Sequence, residues 1–318
     1  MKYIYALIIC LFIGSSSYAQ TDTSWVTGGV FTLNFNQTSL TNWAAGGENS
    51  IAGNSLLNVF AKYKKNRLAW DNSLDLAYGL LKAGEKEFRK SDDKIDLLSK
   101  LGYDANDKNK WFYTVLFNFK SQFTNSYEYP TDTTKVLISK FAAPAYILLA
   151  LGMDFKPNPA LSVFISPITM KTTVVSDQDL ADAGAFGVDP AEFDATTGAK
   201  TKDGEMVRME YGAYINAKFQ KDVMTNVNFL TKLDLFSNYA DNPQNIDVNW
   251  EVLIAMKINK YLSASINTNL IYDDNVTIQE YDVINGYKIP KFNSDGTTVA
   301  GPRVQFKEVI GVGLSMKF

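Results

Sequence analysis

The stretch from Gln305 to Phe318, QFKEVIGVGLSMKF, constrains the fold of this chain more than any other. Its apolar side chains share one parity, and the other parity holds glutamine, lysine, glycine and serine. Because successive side chains of a strand point to opposite faces, this pattern predicts a β-strand with one apolar face. The segment is long for a soluble strand, no turn or cap follows it, and an aromatic residue ends it. Together these features are typical of a transmembrane barrel strand.

The first residues have the pattern of an export signal. Lys2 precedes an apolar run over residues 3–13, and small residues follow. This predicts a cleaved signal peptide over residues 1–19, with the mature chain beginning at Gln20. The alternative, an uncleaved transmembrane helix, needs about 18 or more apolar residues, and this run is shorter.

Composition excludes several classes of function. The only cysteine, Cys10, lies in the predicted leader, so residues 20–318 contain no disulfide, and a closed hydrogen-bonded barrel would have to hold the secreted chain together. The chain has no histidine, which excludes a Ser-His-Asp site and the commonest transition-metal ligand. Removing Lys2 from 31 basic residues leaves 30 against 34 acidic ones, a net charge of −4 that gives no reason to expect nucleic acid.

Alternating apolar and polar residues recur along the rest of the chain. After the leader no run of 18 apolar residues occurs, which excludes a helical membrane protein, whereas half-polar barrel strands remain compatible. The pattern predicts twelve strands, at residues 25–36, 54–64, 67–79, 94–104, 111–123, 143–156, 160–173, 208–220, 224–237, 245–259, 260–273 and 305–318.

The connections between these strands alternate in length. Those after odd-numbered strands are longer, at residues 38–50, 82–93, 124–141, 174–205, 238–244 and 274–304, with a helical turn expected within 177–185. Those after even-numbered strands are short, at residues 64–67, 105–110, 157–159, 221–222 and 259–260. Bacterial outer-membrane barrels have even strand numbers, short periplasmic turns and long external loops. We therefore predict an all-β, antiparallel, up-and-down transmembrane barrel of about twelve strands, in a single domain over residues 20–318; the rival is a secreted β-sandwich.

Several segments resemble one family in particular. They are NQTSLTNWAAGGENS after the first strand, WDNSLDLAYG at residues 70–79, RKSDDKIDLLSKLGY at 89–103, ISPITMK at 165–171 and LIYDDN at 270–275. This set resembles the Bacteroidota family called domain of unknown function 3078. The resemblance implies an outer-membrane barrel with no established activity, and therefore no catalytic residues. A terminal aromatic such as Phe318 also resembles the signal read by the barrel-assembly machinery.

The polar parity of the strands supplies candidate lumen-lining residues. They are Asp71, Asp75, Lys94, Asp96, Lys100, Arg208, Glu210, Lys218, Lys232, Asp234, Asp247, Glu251 and Lys257. Two interpretations remain open, because twelve strands lie between small filled barrels and open porins. The charges line a hydrated channel that passes small polar solutes, or they pair and close a structural barrel that acts through its outer loops.

Other candidate sites are weaker. Asp273, Asp274 and Asn275, or the aspartates within residues 177–182, have oxygen ligands for calcium but lack EF-hand spacing, so a solvated acidic loop is favoured. Trp43 is interpreted as an interface anchor rather than a recognition tip. We predict no enzyme, no cofactor and no nucleic-acid partner. The expected partners are the lipid bilayer of the Gram-negative outer membrane, the assembly machinery and small polar solutes.

Overall fold

The computed structural model describes residues 24–41, 48–106, 108, 110–131, 134–259, 261–284 and 287–318. The predicted signal peptide and Trp43 lie outside these residues.

Twelve antiparallel strands form one closed barrel, in which each strand pairs with its neighbours in sequence and the last pairs with the first. This confirms the predicted fold class and strand number. The strands are β1 Trp25–Thr38, β2 Ser50–Lys65, β3 Leu68–Ala83, β4 Arg89–Asp104, β5 Trp111–Ser121, β6 Ala145–Asn158, β7 Leu161–Val174, β8 Val207–Met224, β9 Val227–Asn238, β10 Ile246–Lys257, β11 Leu262–Tyr272 and β12 Gln305–Lys317.

The barrel closes where β12 meets β1. Leu33 lies opposite Leu314 and Thr32 opposite Ser315, while the backbone of Gly29 exchanges hydrogen bonds of 2.9 and 3.1 Å with Phe318. A Cβ atom added at Gly29 would come within 2.5 Å of the Phe318 ring. Glycine at this position therefore leaves room for the terminal aromatic side chain against the outside of β1.

Some predicted connections have different bounds. The expected loop at residues 82–93 shrinks to 84–88, because β3 and β4 each extend into it. The turn expected at 221–222 lies at 225–226, and the one expected at 157–159 lies at 159–160, because β8 and β6 continue further than predicted. The extensions begin with polar or charged residues at 89–93 and 221–222, so hydrophobic alternation fades there although the backbone pairing continues.

The connections after odd-numbered strands share one end of the barrel, the loop end, and those after even-numbered strands share the other, the turn end. The predicted alternation in length fails at residues 84–88, a connection of the loop end that is shorter than the turn at residues 105–110. Among the described residues, the loops contain four two-stranded sheets: Ser126–Glu128 with Val136–Ser139, Glu192–Phe193 with Lys200–Lys202, Thr277–Gln279 with Ala300–Pro302, and Tyr281–Ile284 with Tyr287–Pro290. In the described part of the loop over residues 175–206, a short α-helix, α1, spans Gln178–Asp182, inside the segment predicted to be helical, and Asp177 caps it. Within the described residues, no helix is long and apolar enough to span a membrane.

The two faces of the barrel differ in chemistry. Large apolar side chains project outwards along the strands and are exposed, among them Leu33, Leu151, Ile168, Met209, Ile310 and Leu314. Charged side chains on the opposite parity project inwards and bind one another. The apolar surface is thus outside and the ionic surface inside, the reverse of a soluble protein.

Candidate functional site: the charged barrel interior

The structure places the lumen candidates at three levels of one interior. Asp75, Lys94, Asp96, Lys232, Asp234 and Glu251 lie near the middle of their strands; Arg208, Glu210 and Asp247 lie at the loop end; Asp71, Lys100, Lys218 and Lys257 lie towards the turn end. Each level arranges its charges differently.

The middle level is crossed by ion pairs between opposite walls. Lys94 on β4 binds Glu251 on β10 at 2.9 Å, and these strands stand six apart in the ring of twelve. Lys232 on β9 binds Asp75 on β3, which are also six strands apart. Because such strands face each other across the barrel, these side chains span the lumen. We call Asp75, Lys94, Lys120, Lys232, Asp234 and Glu251 the ion-pair layer.

Asp234 is the most fully satisfied carboxylate of this layer. Its Oδ2 accepts from Lys120 at 2.8 Å, and its Oδ1 accepts from the Tyr214 hydroxyl at 2.6 Å and the Asn216 amide at 2.7 Å. Lys120 comes from β5, four strands away from β9. Two walls and three donors therefore fix this carboxylate, as a half-buried charge requires.

A second group of charges lies at the loop end. Lys171 Nζ is 2.6 Å from Asp247, 3.2 Å from Asp273 and 3.4 Å from Glu210, so one cation holds carboxylates from several strands. Arg208 binds Glu210 at 2.6 Å. These contacts draw β7, β8, β10 and the end of β11 together beneath the long loops.

The loop over residues 175–206 lies across the loop end. Arg208 donates to the carbonyl of Gly187 at 2.7 Å and to the side chain of Asn275, just beyond β11, at 3.2 Å. Gly187 has φ +79°, and a Cβ there would come within 2.6 Å of the Arg208 guanidinium. Only glycine therefore suits this contact, which joins β8 and the β11 connection over the mouth.

An apolar cluster also fills part of the lumen. Leu116, Ala150, Phe164, Tyr214 and Phe236 are buried and in contact, and they come from five consecutive strands, β5 to β9. The lumen candidates predicted from the sequence included none of them. A signal was present in β5, WFYTVLFNFKS, because Phe112 and Leu116 place apolar side chains on its inward parity as well, as expected of a strand buried on both faces.

The other side of the interior contains a cavity of about 1790 Å³. It extends from the ion-pair layer to the turns after β6, β8 and β10, and its walls include Lys62, Lys218 and Lys257. At its edge, Lys156 binds Asp71 at 2.6 Å and Asp154 at 3.3 Å. We call this space the turn-end cavity.

The aspartates considered for calcium are occupied by protein donors. Asp177 is 2.6 Å from Lys140 and accepts from the Leu180 N–H, and the hydrogen bond from Lys140 is the main reason that its pKa is lowered. Asp182 accepts from Lys200 at 2.7 Å, from Gln178 and from the Gly204 N–H, and these bonds lower its pKa to about 2.

At the β11 connection, Asp273 binds Lys171 at 3.2 Å and Asp274 accepts from Asn245 at 2.7 Å. In the part of the chain that the structure describes, no group of three or more His, Cys, Asp or Glu side chains is arranged to hold a metal ion.

Several solved structures are similar to this chain in outline. The translocator domain of the autotransporter NalP from Neisseria meningitidis is 10% identical, with 98% of this chain and 95% of that chain covered and a TM-score of 0.37. The COG4313 outer membrane channel from Pseudomonas putida F1 is 11% identical, with 95% and 98% covered and a TM-score of 0.37. The NanC porin is 10% identical, with 90% and 98% covered and a TM-score of 0.33.

Among curated proteins, no match to this chain was found. A family match exists over its first strands. Residues 35–127, from the end of β1 to the loop after β5, match the family described as Protein of unknown function (DUF3078). The resemblance predicted from the sequence is therefore confirmed in this segment, which carries the DUF3078 pattern.

Proposed function

We propose that this protein is an integral outer-membrane barrel whose lumen is closed at rest, and that it acts through its loops and its turn-end cavity. Its location in a membrane is supported by the reversed polarity of the barrel. Leu314 and Ile310 are 59% and 67% exposed on the outside, whereas Lys100, Asp154 and Glu210 are buried within. In water this arrangement would expose a large apolar surface and bury charges at a cost, whereas in a bilayer it satisfies both faces.

The observation that carries the closed state is the pairing of charges across the lumen. Lys94 with Glu251 and Lys232 with Asp75 join opposite walls, so the side chains occupy the space a solute would use. The apolar cluster around Leu116 and Phe164 fills the neighbouring space. Paired charges of both signs also offer a passing ion no unmatched partner.

Passive passage of small polar solutes is the second candidate, and the turn-end cavity favours it. Between the turns and the ion-pair layer, the lumen already contains an open cavity of about 1790 Å³. In this case the ion-pair layer and the loop over the mouth would have to move for a solute to pass, and Arg208, Lys218, Lys232, Asp234 and Glu251 would set the selectivity for ions.

Assembly through the barrel-assembly machinery is part of the proposal, as is insertion with the long loops facing the medium. The exposed ring of Phe318, which lies against Gly29 at the seam, supports the first. The crowding of all long connections at one end supports the second.

Fractionation tests the location. The protein should sediment with outer membranes and should migrate differently on a gel before and after boiling, because a closed barrel resists detergent at room temperature. An epitope inserted at Gly198, where an added Cβ would meet nothing within 4 Å, should be reached by antibody on intact cells. Recovery in the soluble periplasm would overturn the location, and antibody access only after lysis would reverse the orientation.

Conductance in a planar bilayer tests the closed state. The wild type should insert silently. Replacing Asp75, Lys94, Lys232 and Glu251 together by Ala removes the crossing side chains and should produce stepwise conductance. The matched control is Asn267→Ala with Asn269→Ala, and it should stay silent. Both residues line the lumen on β11, and their side-chain oxygens accept no hydrogen bond from the described residues. Stable conductance by the wild type would favour the channel.

A further inference from the structure

Four lysines of the turn-end cavity differ from those of the ion-pair layer, because they have no acidic partner among the described residues. The carboxylates that line the cavity are mostly engaged already: Asp75 binds Lys232, Glu251 binds Lys94, Asp71 binds Lys156 and Asp92 binds Lys307. In the described part of the chain, Lys62, Lys64, Lys218 and Lys257 form no ion pair, although all four line the cavity. Asp222 is the remaining lining carboxylate, and it accepts from Asn228.

The strand register explains why these lysines stay unmatched. Lys218 on β8 lies opposite Lys232 on β9 and opposite Ser162 on β7, so neither neighbour offers a carboxylate. Lys62 on β2 lies opposite Asp71, whose carboxylate is bound by Lys156. Like charges facing each other across strands destabilise a sheet. An anion bound between these strands would relieve that repulsion.

The walls between the lysines are apolar. Leu56, Phe60, Leu230 and Leu253 line the same cavity on strands β2, β9 and β10. A site of about 1790 Å³ is larger than the pockets that take most small ligands, which measure about 300–1,000 Å³. It therefore has room for a chain-bearing molecule in addition to an anionic group.

We infer that the turn-end cavity binds an amphiphilic organic anion, with its carboxylate or phosphate group held by Lys62, Lys218 and Lys257 and its apolar body against Phe60, Leu230 and Leu253. The ligand enters from the turn end, since the ion-pair layer forms the far wall of the cavity. Binding requires the cavity and its lysines but not a closed lumen, so this inference and the proposed resting state fail independently.

The test uses the full mature barrel in nanodiscs of zwitterionic lipid, with decanoate as the probe and titration calorimetry as the readout. Decanoate should bind saturably. In the variant Lys62→Met with Lys218→Met, affinity should fall about tenfold or more, because methionine keeps the apolar stem but removes the charge-assisted hydrogen bonds. Lys62→Arg with Lys218→Arg should retain binding, and a heat-dependent gel shift checks that each variant is folded.

Two matched comparisons decide what the binding means. Lys221→Met removes a lysine of β8 outside the cavity lining and should leave the affinity unchanged. Decanol, which has the same chain without the charge, should bind at least tenfold more weakly than decanoate. If the wild type and the double Met variant bind decanoate equally, the measured heat comes from decanoate entering the lipid, and the inference is overturned. Inorganic phosphate binding as tightly as decanoate would overturn the assignment of the apolar walls.

Discussion

The ion-pair layer and the turn-end cavity lie in the same barrel interior, and lysine side chains line both. The layer is closed, whereas the cavity is open. In the layer, Lys94, Lys120 and Lys232 each reach a carboxylate on a distant strand. In the cavity, Lys62 and Lys218 reach none, and the space between them stays open. Polarity therefore does not decide whether a lumen is open. A lumen closes where facing walls carry charges of opposite sign at the same level along the barrel axis.

The comparison predicts its largest effect at Asp234. Asp234→Ala leaves Lys120 without its partner and frees the Tyr214 hydroxyl and the Asn216 amide. We expect the free energy of unfolding to fall by about 3 kcal/mol, the lower end for a broken buried pair, because both side chains are partly exposed. Asp222→Ala in the cavity should cost less than about 0.5 kcal/mol. Urea unfolding in lipid vesicles measures both, and equal losses would erase the distinction between the two levels.

The next effect is the coupling between opposite walls. A double-mutant cycle with Lys94→Met and Glu251→Gln should give an interaction energy of about 1–3 kcal/mol, because the two side chains are 2.9 Å apart across the lumen. The control cycle pairs Glu251→Gln with Lys257→Met, a lysine further along the same face of β10, and should give about 0.3 kcal/mol or less. Additive effects at Lys94 and Glu251 would mean that this pair does not hold the walls together.

A smaller effect is expected in the cavity itself. Lys218→Met removes a cation that has no acidic partner and faces Lys232 across the strand. The free energy of unfolding should therefore stay within about 0.5 kcal/mol of the wild type or rise slightly. Lys120→Met in the layer serves as the contrasting variant and should be clearly destabilised. A loss at Lys218 as large as that at Lys120 would indicate a protein partner for Lys218.

The smallest effect concerns the loop over residues 175–206. This loop covers the loop end of the barrel, whereas the turn end is open. The pKa of Asp182 is lowered to about 2, first by the hydrogen bond from Lys200. Because the pKa is lowered, the ionised carboxylate contributes its full stabilisation of the loop above the pKa of the unfolded chain, about 3.9. This stabilisation is lost as the pH falls through about 2. Relative to the Asp182→Asn variant, pepsin should therefore cut the wild-type loop over residues 175–206 more slowly at pH 4 than at pH 2.

This prediction is tested by comparing the pepsin cleavage rates of the wild type, Asp182→Asn and a second control variant. At pH 4 the wild type should be cut more slowly than Asp182→Asn, and at pH 2 the two should be cut alike. Asp189→Asn, a change in the same loop, should follow the wild type at both values. A loop cut equally in the wild type and Asp182→Asn at pH 4 would show that this carboxylate does not hold it.

Much of the fold was predictable because it depends on local pattern. Alternation along Met209 to Phe219 and along Phe306 to Phe318 assigns each residue to a face, and the alternating connection lengths assign each strand to a direction. The bounds were missed where charged residues continue a strand, as between Arg89 and Asp93, since pairing there no longer follows hydrophobicity.

The candidate site was predictable only in part. The inward-facing residues can be read from the sequence, because side chains alternate between the two faces of a strand. Which lysine binds which carboxylate depends on strands that stand four to six apart in the ring. Lys94 and Glu251 are separated by 157 residues, and nothing local links them. The apolar filling was missed for a related reason, because Leu116 and Phe164 occupy a parity that elsewhere in the barrel is polar.

Thiol accessibility at both ends of one lumen tests the central claim, that the interior is closed at rest, most directly. Residues 20–318 contain no cysteine, so the double variant Gln220→Cys with Asn238→Cys carries one thiol in the turn-end cavity and one at the loop end. In vesicles, a membrane-impermeant thiol reagent added outside should label each molecule once, whichever way it inserted, and label it twice after detergent is added. Mass spectrometry counts the labels. Singly labelled molecules in sealed vesicles are the predicted result, and doubly labelled molecules there would mean that the lumen is open.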